Sequence, residues 1–189
     1  MSLEALLARL APALDRAQVP YMLTGSVASS AHGIPRSTRD IDIVIAPTPS
    51  QLVALMREFP SDRYYADQQQ AMQALANRSQ FNVIDFETGW KTDFILARES
   101  EYGRIALSRR MLIDIAGTAV YVATPEDVLI AKLQWAKRAE SDRQLRDAAG
   151  IISTQGSKLD RTYIERWVRE LELEDQWKLV NDTGTTSNH

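Results

Sequence analysis

The chain contains no cysteine and only two histidines among its 189 residues. That excludes disulfides, thiolate nucleophiles and the Cys/His ligand sets of structural zinc. Any metal ion is therefore held by oxygen or by those histidines, and oxygen ligands favour hard cations such as Mg²⁺. A surplus of basic charge is missing too: 22 Lys and Arg against 25 Asp and Glu give a formal net charge of −3. There is thus no general positive field for non-specific nucleic-acid binding, although a local basic patch stays open. No apolar run approaches the roughly 20 residues of a membrane span, and Met1 to Leu10 lacks the basic start and apolar core of a secretory signal. The expectation is a cytoplasmic protein without membrane association, long enough for one core-forming domain with a small appendage.

What the sequence does contain is ordered apolar periodicity. Leu3, Leu6, Leu7, Leu10 and Leu14 recur at helical spacing, predicting an amphipathic helix over 2–17. Residues 19–24 read as a short buried strand, followed at once by Gly25-Ser26. Ser26 has the chemistry of an N-cap for a helix over 27–31, which Gly33 and Pro35 close. A strand follows at 40–46, then a Ser50-capped helix over 51–58 and a weak, exposed helix over 67–78. Residues 81–96 predict two strands joined by a tight turn at Thr88-Gly89, and residues 111–123 a hairpin turning near Gly117. From Thr124-Pro125-Glu126-Asp127 onward the pattern is helical, over 125–139, 141–152 and 160–180. The fold class expected is α/β (α+β), with a mixed sheet flanked by helices. The α/β domain spans 1–124, a helical region packed on it spans 125–182, and a disordered tail spans 183–189.

The chemistry is concentrated in residues 24–45, TGSVASSAHGIPRSTRDIDIVI. Side chains alternate faces along a strand, so Asp40 and Asp42 share one face while Ile41, Ile43 and Ile45 face the core. Two carboxylates about 6–7 Å apart along a strand repel unless a cation lies between them; with Mg²⁺ both stay ionised and become ligands. An edge strand with a solvated polar face would look the same in isolation. The preceding Gly25-Ser26 adds backbone N–H groups and a hydroxyl at the positive end of a helix, a ready phosphate site. A third carboxylate is required to hold two metals and activate a hydroxyl. Asp85 and Asp93 both lie in apolar strands but on opposite faces. Asp93 precedes Phe94-Ile95-Leu96, the acid-then-apolar order of Asp42, and is the one selected; a cross-strand salt bridge to Lys91 is its structural alternative.

These residues resemble a known family. LTGSVASSAHGIPRSTRDIDIVI followed by KTDFIL resembles the nucleotidyltransferase superfamily typified by DNA polymerase beta. The resemblance is closer still to the small bacterial proteins related to the AbiEii toxin component of abortive-infection and toxin-antitoxin systems. The Thr-x-Asp-x-Asp block common there reads Thr38-Arg39-Asp40-Ile41-Asp42, and the segment TPEDVLIAKLQWAKR…SDRQLRDAAGII places Lys132 and Asp147 at the group's basic and acidic positions. The resemblance, over residues 19–152, implies a nucleotidyltransferase fold with Asp40, Asp42 and Asp93 as catalytic and metal-binding residues. It implies two Mg²⁺ ions, with Mn²⁺ as the substitute, and a nucleoside triphosphate such as ATP held by Gly25, Ser26, Thr38 and Lys132. The reaction implied is transfer of a nucleoside monophosphate to a hydroxyl of tRNA, protein or a small molecule. A cognate small regulator is the partner such systems carry.

Other residues divide between roles. Lys132, on a helix with Val128, Leu129 and Leu133 facing inward, is either a phosphate contact or a snorkelling surface lysine. Arg36 and Arg39 flank the acids and either contact phosphate or offset charge. His32, at a helix end, reads as structural, and Trp135, Trp167 and Trp177 as core or interface. The competing reading is a non-catalytic nucleotide-binding or antitoxin-partner module of the same fold. A metal-dependent phosphohydrolase is disfavoured by the shortage of histidine.

Overall fold

The computed structural model describes residues 3–35 and 37–185, with side chains given up to residue 181. Arg36 and the end of the tail, 186–189, lie outside the described residues. The chain divides into two compact units, Met1–Thr24 with Ser37–Val122, and Gly25–Arg36 with Ala123–His189. The later boundary falls two residues before the one expected at 124. The helix that follows the first strand belongs with the C-terminal unit rather than with the sheet. Among the described residues no helix is long and apolar enough to cross a membrane.

The first unit is built on a seven-stranded mixed sheet. In chain order it comprises helix α1 (Leu3–Arg16), strands β1 (Tyr21–Thr24) and β2 (Asp40–Ile45), and helix α3 (Pro49–Arg57). Strand β3 (Tyr64–Ala66), helix α4 (Gln68–Asn77), strands β4 (Gln80–Asp85) and β5 (Lys91–Leu96), helix α5 (Glu101–Ser108) and the hairpin β6 (Met111–Ile115) and β7 (Thr118–Val122) complete it. The strand order is β3-β4-β5-β2-β1-β7-β6. β2 is antiparallel to β1 and parallel to β5, so the sheet is mixed at its centre. Ile41, Ile43 and Ile45 of β2 are fully buried beside Thr92, Phe94 and Leu96 of β5, each large apolar side chain contributing about 1.5–3 kcal/mol by leaving water. α1 presents Leu6, Leu7, Leu10 and Leu14 to the interior. It carries Pro12 within the helix, which cannot donate to the carbonyl of Ala8.

Several local details differ from the sequence expectation for identifiable reasons. α3 is capped by Thr48 rather than Ser50: the Thr48 hydroxyl accepts from the Gln51 N–H, and Gln51 reaches back to the Thr48 N–H at 2.8 Å, a reciprocal capping box. The β4–β5 connection spans five residues, 86–90, instead of a two-residue turn. Asp85 Oδ1 accepts from the N–H groups of Glu87 (2.9 Å) and Thr88 (3.3 Å), and Gly89 N–H closes on the Asp85 carbonyl at 2.8 Å. The hairpin register therefore pairs Asn82 with Asp93 and Ile84 with Lys91, and Phe86 is exposed in the loop. Strand β3 and helix α5 were not anticipated from the sequence. α4 forms as expected, capped by Asp67, with Ala71 and Ala74 its buried positions.

The second unit is helical: α2 (Gly25–His32), α6 (Pro125–Ala139), α7 (Asp142–Gln155), a 3-10 turn (Gly156–Lys158), α8 (Arg161–Glu170) and α9 (Glu174–Thr185). α2 begins at Gly25 itself, with φ +61°, a left-handed conformation glycine adopts without strain. Ser26 thus sits in the first turn and is not the N-cap. His32 Nε2–H donates to the Ala123 carbonyl at 2.8 Å, and Gln155 donates to the His32 carbonyl at 2.6 Å. Gly33 meets the backbone closely: a β-carbon there would lie 3.0–3.2 Å from Ser29 O, Ile151 N and Gly150 C. The expected single helix over 160–180 is broken at Leu171–Leu173, where Glu172 takes φ +54°. α9 continues through Thr185, so residues 183–185 of the expected tail are helical. Trp167 is buried in the helical core while Trp135 is exposed at 45%.

Candidate active site

The site is set by strand register. In the parallel pair β2–β5, Asp40 is opposite Lys91, and Asp42 is opposite Asp93. Paired residues of neighbouring strands point to the same face, so the three carboxylates and the Lys91 ammonium stand together on the face opposite the buried isoleucines. The burial pattern agrees, with Ile41, Ile43 and Ile45 buried, Asp40 exposed and Asp42 intermediate. The row extends sideways: Thr24 of β1 is opposite Asp42, and Asn82 of β4 is opposite Asp93. Thr24, Asp42, Asp93 and Asn82 thus lie abreast across four strands, spaced about 4.8 Å from strand to strand. Asp85 projects from the other face, buried and ion-paired with Arg9.

Electrostatics are dominated by Lys91. Its Nζ lies 2.7 Å from Asp93 Oδ2, within the same strand rather than across strands. The hydrogen bond to Asp93 raises the Lys91 pKa above its ordinary value; the charges of Asp93, Asp40 and Asp42 add to this, and partial burial opposes it. The ammonium is therefore hydrogen-bonded to Asp93 and attracted by the charges of Asp40 and Asp42. That donor set, all oxygen and all anionic, fits a hard divalent ion such as Mg²⁺. Among the described residues, however, no group of three or more acidic, His or Cys side chains is already converged on a metal-binding geometry.

The remaining sequence-selected residues are placed as follows. The Thr38 hydroxyl lies 3.1–3.2 Å from the backbone O and N of Asp40 and fixes the entry to β2. Gly25 and Ser26 open α2 in the second unit, directly after Thr24 in the chain. Lys132, on α6 of the second unit, is neither exposed nor at the surface edge: its side chain is 4% exposed and its Nζ lies 2.7 Å from Asp147 Oδ2 on α7. Lys91 and Asn82 were not selected as site residues. The K-x-D spacing of residues 91 and 93, which puts both on one face of a strand, was the available signal for Lys91; Asn82 depended on a hairpin register that the loop chemistry shifted.

Comparison with known proteins places the fold. No family model matches the sequence, and no curated protein matches it. Among solved structures, the crystal structure of ANT(2'')-Ia in complex with adenylyl-2''-tobramycin superposes with a TM-score of 0.59 at 12% identity, covering 97% of this chain and 99% of that one. The solution structure of the antibiotic-resistance factor ANT(2'')-Ia gives a TM-score of 0.56 at 14% identity, covering 93% and 96%. A nucleotidyltransferase-like protein from Paracoccidioides brasiliensis aligns at 20% identity with a TM-score of 0.48, covering 94% and 92%. The assignment rests on the first two: the chain has the nucleotidyltransferase fold, a mixed sheet flanked by helices.

Proposed function

We propose that this protein is a Mg²⁺-dependent nucleotidyltransferase that moves a nucleoside monophosphate from a nucleoside triphosphate to an acceptor hydroxyl. The observation that carries the reading is the pairing of Asp42 with Asp93 on adjacent parallel strands, with Asp40 two residues earlier on the same face. In the proposed reaction the acceptor oxygen forms a bond to the α-phosphorus, the bond to the bridging oxygen breaks, and pyrophosphate leaves. Asp93, as general base, takes the hydroxyl proton. Two Mg²⁺ ions, or Mn²⁺ in their place, on Asp40, Asp42 and Asp93 supply charge neutralisation for the triphosphate. The protein's part is to orient those carboxylates, and Lys91 keeps them together before the nucleotide arrives. Gly25, Ser26 and Thr38 are assigned to nucleotide contact from the sequence pattern, whereas Lys132, buried against Asp147, is withdrawn from that role. The acceptor favoured is a small molecule, because the overall likeness extends along nearly the whole of ANT(2'')-Ia, one structure of which carries adenylyl-2''-tobramycin. The cognate regulator and toxin-antitoxin role belong to the same proposal through the motif resemblance, and co-purification of a neighbouring gene product tests them.

The test is incubation with α-labelled nucleotides, Mg²⁺ and panels of small-molecule, tRNA and protein acceptors. Label transfer that is abolished by EDTA and by Asp42→Ala supports the assignment; transfer that survives Asp42→Ala sinks it. The second reading, a non-catalytic nucleotide-binding or antitoxin-partner module, is favoured by one observation, the existing Lys91–Asp93 ion pair, which neutralises the expected base. Calorimetry separates the partner-binding form of that reading, and the label-transfer assay separates its nucleotide-binding form. An enzyme of this kind binds ATP more tightly with Mg²⁺, whereas a pure partner-binding module shows no metal-dependent nucleotide affinity.

A further inference from the structure

We propose that the first unit carries a second ligand site, on the face of the sheet opposite the carboxylates, for a small aromatic carboxylate. A cavity of about 440 Å³ lies between α1, the segment from Glu58 to Tyr64 and strands β4 and β5, within the size range of small-molecule pockets. Val83 and Thr92 form its floor, and both point away from Asp93 by the alternation of their strands. Because the sheet backbone stands between, a molecule here does not reach Asp42 or Asp93. The site is separate from any acceptor pocket of the proposed reaction.

Its lining specifies the ligand. Phe59, Tyr64 and Trp90 are among its lining residues, aromatic surface suited to a flat ring by offset or edge contact. The charged lining comprises three arginines, Arg9, Arg16 and Arg63, and two carboxylates, Glu58 and Asp85; the third arginine, Arg63, is paired with Glu87 beside the cavity. Asp85 is fully committed, to Arg9 and to the loop N–H groups, and Glu58 holds Arg16 at 2.5 Å. Arg63 is different. Its Nη2 reaches Glu87 at 2.9 Å and its guanidinium lies 5.7 Å from the centre of the Tyr64 ring, but its Nε–H is shielded from solvent and has no hydrogen-bond partner among the described residues. A guanidinium offers its donors as a planar fork that a carboxylate matches in two parallel bonds. At the rim, Ala8 and Pro12 are exposed, and the carbonyl of Ala8 receives nothing from Pro12. An anionic headgroup on Arg63 with its ring against Trp90 and Tyr64 uses the unpaired donor and the aromatic lining together.

Titration of the ¹⁵N-labelled full chain with indole-3-carboxylate tests this, read at the Arg63 Nε–H and Trp90 indole N–H signals. Saturable shifts at both are expected. The neutral isostere indole-3-methanol, and the Arg63→Gln variant, should bind about tenfold more weakly or worse, the loss of one charge-assisted hydrogen bond. Should Arg63→Gln fail to fold, Ala8→Trp, which covers the mouth from an exposed position, should abolish the shifts in a folded protein. No saturation at millimolar ligand, equal binding of the neutral isostere, or tighter binding of AMP than of the carboxylate would each overturn the assignment.

Discussion

Asp42 of β2 and Asp93 of β5 are direct register partners on adjacent parallel strands. Two residues more than fifty positions apart in sequence are thereby set side by side, about 4.8 Å between strands, with a rigid backbone beneath each. Replacing either with Asn keeps the shape and removes the charge. Asp42→Asn and Asp93→Asn should each lower the transfer rate at least about 10²-fold while leaving the far-UV circular dichroism unchanged. A rate within a few-fold of the parent protein would mean that this carboxylate row is not where the chemistry occurs.

The proposed metal would have to displace Lys91 from the same carboxylates. Its folded pKa lies above its ordinary 10.5, so its stabilisation is complete below 10.5 and is lost as pH rises through the folded value. Denaturant midpoints should fall above pH 10.5 in the parent protein and more gently in Lys91→Met. At neutral pH the variant leaves three carboxylates without their ammonium, so it should be less stable in EDTA and gain more from Mg²⁺ than the parent does. Equal Mg²⁺ responses in the two proteins would refute the competition.

The carboxylate face was legible because two simple periodicities coincide: Ile41, Ile43 and Ile45 demand a buried face, and Asp40 and Asp42 must take the other. The face of Asp93 was legible for the same reason, since a two-residue shift in hairpin register preserves alternation. The register itself was not, because Asp85 captures two loop N–H groups and lengthens a Thr-Gly turn into a five-residue connection; the side chain that decides the loop also looked like a strand residue. The break between α8 and α9 was hidden because Glu172, not glycine, takes the left-handed conformation. Lys132 shows a different limit. Its helix could be read from the sequence, but its burial depends on Asp147 fifteen residues later on another helix, and only tertiary structure reveals that.

The Lys132–Asp147 pair is buried on both sides, with side chains 4% and 10% exposed. Removing one partner strands the other's charge away from water. Lys132→Met or Asp147→Leu alone should therefore cost about 3–5 kcal/mol of folding stability, and the double replacement clearly less than the sum of the two. Urea unfolding of the four proteins measures the coupling. Additive losses would show that the two charges act independently.

His32 links stability to mildly acidic pH. It is buried, and burial lowers its pKa below the ordinary 6.5, a shift that the hydrogen bond to Ala123 and the charge of Glu126 oppose without reversing. At neutral pH the imidazole is uncharged, and Nε2 carries the proton it donates to Ala123 O. The unfolded chain protonates His32 near 6.5 while the folded chain resists, so the unfolded state binds more protons and stability falls with pH. The contribution is complete above 6.5 and is lost as pH drops from there through the lower folded value. Urea midpoints should decline between pH 7.5 and 5.5 in the parent protein, and His32→Gln, which keeps a donor but cannot titrate, should flatten that decline while lowering the midpoint at pH 7.5. An identical pH slope in the variant would assign the decline to other groups.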